Sequence, residues 1–158
     1  MRLAAAFIAL LALSSPAFAA DSAGSPPDAA TTAKVDKPRF AKWYCLAAGE
    51  ELFDVTFQER GFRVNNITVT EGDAPLSQRP AVILSASAAN REGGAIAVTL
   101  EYIRFSGSGD VPDVAISARP MMYSVGPGKT EEVSGYALTT TKLAPADREC
   151  VRATAFLY

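Results

Sequence analysis

From Ile96 to Tyr102 the chain alternates without a break: Ile96, Val98, Leu100 and Tyr102 are apolar, and Ala97, Thr99 and Glu101 stand between them. Successive side chains of a strand point to opposite faces, so this pattern predicts a strand with one buried and one wet face. Other segments repeat the theme. Phe53, Val55 and Phe57 alternate with Asp54, Thr56 and Gln58, and Phe62 to Val64 runs on to an expected turn at Asn65-Asn66. Ile67 to Thr70 reads as a second short strand closed by Glu71-Gly72-Asp73, and Ala81 to Ala89 as a buried one closed by the turn residues Asn90 to Gly94. Val114 to Ser117 follows. Met121 to Val125 and Glu132 to Leu138 then flank Gly126-Pro127-Gly128-Lys129, where Pro before Gly predicts a type II turn.

The last strand, from Cys150 to Tyr158, sets Val151, Ala153, Ala155 and Leu157 on one face and Arg152, Thr154, Phe156 and Tyr158 on the other. Helix signals are thin. Ala41 to Glu51 and Pro145 to Arg148 offer a turn or two and lack the 3.6-residue period of an amphipathic helix. About seven to nine short strands with regular turn signals imply an all-β domain, expected as a single antiparallel β-sandwich of immunoglobulin-like architecture.

The start of the chain obeys a different logic. Met1-Arg2 precedes an unbroken apolar run from Leu3 to Leu13, Ser14-Ser15-Pro16 breaks it, and Ala17-Phe18-Ala19 has the small-x-small pattern of a signal-peptidase site. Residues 1–19 therefore read as a Sec-type secretory signal peptide of bacterial kind, and the run is too short for a membrane span of roughly 20 residues. Periplasmic or secreted localisation is expected, with no transmembrane segment after cleavage. Removing 19 of 158 residues leaves 139, one domain of ordinary size. Residues 20–37, rich in Ala, Ser, Pro and Thr and without an aromatic residue, read as a flexible tether. The folded domain is expected over 38–158.

Export gives the two cysteines their meaning. In an oxidising compartment Cys45 and Cys150 are expected to pair, and a bond closing a loop of that length is worth up to about 4.7 kcal/mol in the chain-entropy account. Two cysteines and one tryptophan are superficially similar to immunoglobulin domains. There the tryptophan lies between the cysteines and a tyrosine sits two before the second; here Trp43 precedes both and Arg148 holds the tyrosine position. The hallmark is missing, and no family is identified.

The chain has no histidine, which removes Ser-His-Asp and Cys-His catalysis and the usual zinc ligand sets. Oxidised cysteines offer no thiolate. Glu50-Glu51 and Glu131-Glu132 are sequence neighbours, so on a strand they would face opposite ways rather than form an acid/base pair. No catalytic residue, metal site or cofactor is expected. Acidic residues number 17 and basic residues 15, so no basic footprint for nucleic acid exists. Met121-Met122-Tyr123 is the least regular apolar patch and is the expected contact surface.

These observations predict an exported, non-catalytic binding or assembly module of the bacterial envelope, with a protein or envelope component as partner. A structural subunit of a surface fibre or adhesive coat is the alternative, and a histidine-free hydrolase a third reading. Neither the partner's identity nor the oligomeric state is written in the sequence.

Overall fold

Period-two alternation becomes strand pairing in the computed structural model, which describes residues 38–107, 109–140 and 142–158. The leader expected over 1–19 and the tether expected over 20–37 lie outside the described residues. The strands are β1 (Tyr44–Cys45), β2 (Phe57–Glu59), β3 (Phe62–Asp73), β4 (Pro80–Asn90), β5 (Ile96–Phe105), β6 (Val114–Pro120), β7 (Ser124–Val125), β8 (Thr130–Leu138) and β9 (Arg148–Leu157). All pair antiparallel, in the order β1-β9-β5-β6-β8-β4-β3-β2, with β7 beside the start of β5. Among the described residues no helix is long and apolar enough to cross a membrane.

The pairing does not divide these strands into the two separate sheets of the expected immunoglobulin-like sandwich. One strand belongs to both halves. β6 pairs with β5 from Val114 to Ala118, then leaves it and pairs with β8 through Arg119 and Pro120. The result is one sheet curled into a half-barrel around a core that includes Val64, Leu84, Val98, Leu100, Val133 and Val151. Gly135 makes the corner possible. A Cβ there would lie 2.6 Å from the Ser117 carbonyl oxygen and 2.8 Å from the Ala118 Cα.

Three local expectations are corrected. Asn65-Asn66 is not a turn between strands but an irregularity inside β3, where the register against β4 shifts between Asn65 and Thr68. Asn66 holds φ at 53°, a left-handed value that Asn tolerates well and that lets an extra residue enter a strand without reversing it. The expected strand over Phe53 to Gln58 begins as a 3-10 turn, Leu52–Asp54. Leu52 and Val55 are buried and Phe53 is exposed, which is the spacing of a three-residue turn and not of a strand. Finally, Met121 to Tyr123 is a turn, and the strand is confined to Ser124–Val125.

The Gly126–Lys129 turn is as expected: the Lys129 N–H donates to the Gly126 carbonyl and Gly128 takes φ 68°. It joins β7 to β8, which do not pair with each other, so it crosses between the two halves of the sheet. The Cys45–Cys150 disulfide is present, across directly paired positions of β1 and β9. It fastens the first described strand to the last, 105 residues later. On the same outer face Arg152 pairs with Glu101 at 2.6 Å and lies over the Trp43 ring.

The curl leaves a seam between the β1/β9 side and the β2/β3 side. Phe40 packs there against Phe57 and Phe62, while the Ala41 N–H donates to the Ala153 carbonyl. One end of the half-barrel is closed by Asn90. Its buried amide donates to the carbonyls of Gly94 and Val125, and its side-chain oxygen accepts from the Glu92 N–H. Both donors and the oxygen of that amide have a partner, so the end is sealed at little cost.

Candidate functional site

The opposite end of the half-barrel is charged. Following the inward-facing positions of each strand shows how. On β5 the inner row is Ile96, Val98, Leu100, Tyr102 and then Arg104, all buried. On β9 the inner row runs back from Ala153 and Val151 to Glu149, which pairs directly with Arg104. On β3 it passes through Ile67 and Val69 to Glu71, the last of these opposite the buried Val82. Three strands thus end their apolar rows in a charged residue at one mouth. A cleft of about 490 Å³ opens there, bounded by these side chains and by the segment from Leu46 to Phe53.

The polar groups of the mouth hold one another. Tyr102 donates its hydroxyl to Glu149 Oε1 at 2.5 Å. Burial pushes that phenol well above its ordinary range, and the Glu149 carboxylate pushes it further. At the rim Tyr44 donates to both oxygens of Glu50, at 2.9 and 2.8 Å, and the Ala47 N–H donates to Glu50 Oε2 at 2.8 Å. The Ala47 amide first, and the Tyr44 hydroxyl second, hold the Glu50 carboxyl below its usual value. Desolvation, together with the Glu50 carboxylate, pushes the Tyr44 phenol up to about 12. Glu50 is thus a carboxylate kept ionised by fixed donors.

Arg104 stands apart. It is only 8% exposed, its Nη2 donates to the Ala144 carbonyl, and its buried Nε has no partner among the described residues. A guanidinium N–H without an acceptor is rare in a protein interior. Its position was readable: extending the Ile96 to Tyr102 alternation by two residues sets Arg104 on the buried face. The same extension of the Val151–Ala153 row sets Glu149 there. Glu50 had no such signal, because it enters through the loop after β1.

The expected contact residues lie together at the other end of β5 and β6. Met121, Met122 and Tyr123 are 93%, 79% and 66% exposed. They occupy the turn where β6 ends, closed by the Tyr123 N–H donating to the Pro120 carbonyl at 2.9 Å, with Tyr123 at φ 60°. A left-handed tyrosine is uncommon and costs energy that ordinary turn residues avoid. None of these three side chains serves the core. The expected disulfide residues, Cys45 and Cys150, belong to neither place; they sit on the outer face of the sheet.

No protein-family model, curated protein or solved structure matches this chain.

Proposed function

We propose that the chain is an exported, non-catalytic binding or assembly module of the bacterial envelope, and that Met121-Met122-Tyr123 is its contact surface. The observation that carries this reading is the exposure of three consecutive large apolar side chains on one turn. Contiguous exposed apolar surface of this kind marks interaction sites, and burying one such side chain in a partner is worth about 1.5–3 kcal/mol. The leader over 1–19 and the disulfide support work outside the cytoplasm, where a cross-linked domain holds its shape.

The test is retention of envelope components on immobilised protein, with Met122→Glu as the comparison. Met122 is exposed, so the variant folds with an unchanged unfolding midpoint. Retention of a discrete partner by the parent and its loss in the variant is the expected result; equal retention by both removes the turn from the contact. A second reading, the fibre or coat subunit, draws on one observation. Beyond Ala153 the outer side of β9 carries no strand among the described residues, and Phe156, Leu157 and Tyr158 there are exposed. Concentration-dependent assembly in sedimentation would favour it.

A further inference from the structure

We propose that two copies of the chain join through the bare edge of β9, antiparallel about a two-fold axis at Phe156, and that assembly stops at two. The proposal uses the same edge as the fibre reading and opposes it. A two-fold pairing consumes the edge, whereas a fibre needs a second, different surface to continue. It does not depend on the Met121–Tyr123 turn.

Three hydrogen bonds fix which backbone groups lie on that edge. The Leu46 and Ala41 N–H groups donate to the carbonyls of Glu149 and Ala153 on the β1 side, and the Tyr158 N–H donates to the Ala95 carbonyl on the β5 side. Backbone directions alternate along a strand, so the odd-numbered residues of β9 turn their N–H and C=O groups away from β5. Past Ala153 those residues are Ala155 and Leu157, and among the described residues no strand meets them on that side. Edge strands are ordinarily blunted by a charge, a proline or a bulge. Thr154-Ala155-Phe156-Leu157-Tyr158 has none of these, and its register against β5 is unbroken.

The strip is complementary to itself. An axis at Phe156 sets Ala155 of each copy opposite Leu157 of the other, so the outward N–H and C=O groups of both residues all find partners. On one face the small Ala155 meets the larger Leu157. On the other the two Phe156 side chains meet at a non-hydrogen-bonded pair, where Cα atoms are about 4.5 Å apart and aromatic pairs are favourable. No charged side chain on the strip selects a partner of other chemistry. Phe156, Leu157 and Tyr158 are 66%, 67% and 81% exposed. At about 150–250 Å² for an aromatic side chain, burying them hides roughly 1,000 Å² over the two copies, the low end for a specific interface. The dimer therefore dissociates on dilution.

The experiment combines sedimentation of the oxidised protein over a wide concentration range with cysteine cross-linking. Sedimentation gives a reversible monomer–dimer equilibrium. Phe156→Cys brings two thiols across the axis within disulfide reach, and mild oxidation yields a covalent dimer. Thr154→Cys sets its two thiols about 13 Å apart, four residues along the strands, and cross-links at least tenfold more slowly. Leu157→Pro removes an outward N–H in each copy and weakens dimerisation about tenfold. That N–H faces away from β5 and Leu157 is exposed, so the unfolding midpoint stays put. Phe156→Lys, which opposes two charges at the axis, abolishes the dimer at the same concentrations. A monomer at every concentration, equal cross-linking at 154 and 156, or assembly beyond two copies overturns the proposal; the last of these supports the fibre instead.

Discussion

Gly135→Ala tests the corner that turns two halves into one sheet. The added methyl would sit 2.6 Å from the Ser117 oxygen and 2.8 Å from the Ala118 Cα, both backbone atoms, whereas ordinary contact begins near 3.4 Å. β6 would have to retreat by the difference, about 0.8 Å, at the point where it passes from β5 to β8. A hydrogen bond of ordinary length stretched by that amount exceeds about 3.5 Å and is lost. Overpacking of this kind costs about 1–3 kcal/mol, and each broken pairing about 0.5–1.5 kcal/mol more. We expect a loss of about 2–5 kcal/mol in urea unfolding, and a fall in Tm of about 10 °C for a domain of this size. Gly72→Ala is the control: its nearest neighbour is the Ile83 Cδ1 at 3.6 Å, so it should be neutral or gain about 0.5 kcal/mol. If Gly135→Ala unfolds within about 0.5 kcal/mol of the parent, the close crossing of β6 over β8 is wrong.

Three further outcomes follow from the geometry. Replacing both Cys45 and Cys150 by alanine should lower stability by several kcal/mol, up to about 4.7, in urea unfolding; a loss below about 1 kcal/mol would mean that the fold itself already holds β1 against β9. Tyr44 has a folded pKa raised from 10.0 to about 12, so its contribution is complete below the unfolded value and disappears as pH rises from 10 to 12; Tyr44→Phe should remove a tyrosinate absorbance step near 12, and an unchanged titration would contradict the Tyr44–Glu50 bond. Arg104→Met exchanges a buried guanidinium with an orphan donor for an apolar chain of similar reach, so stability should change by less than about 1 kcal/mol or rise; a loss above about 2 kcal/mol would make Arg104 a structural residue.

Much of the architecture was legible where one face of a strand is buried. The alternation at Ile96–Tyr102 became β5 with its buried face intact, and that of the last strand became β9 with Val151 and Ala153 buried and Leu157 exposed beside Phe156, because a one-residue slip would expose the core row. What escaped was set by contacts distant in sequence. Nothing local at Ala118–Arg119 announces a change of partner strand, since the cause is the missing Cβ of Gly135. Asn65-Asn66 carries the same residues as a turn and becomes a bulge because β4 pairs on both sides of it. The mouth was half legible. Arg104 and Glu149 follow from continuing rows already drawn, but their meeting depends on the β5–β9 register. Met121–Tyr123 was legible as an irregular apolar patch, and its exposure follows from β6 leaving β5.

The claim on which the functional account rests is that this turn meets a partner outside the cytoplasm. A photo-crosslinking side chain at position 122, activated in cells exporting the protein, measures that contact directly. The account predicts one discrete adduct at 122 and none with the same group at Val111, an equally exposed apolar position on another loop. No adduct at 122, or the same adducts at both positions, would contradict it.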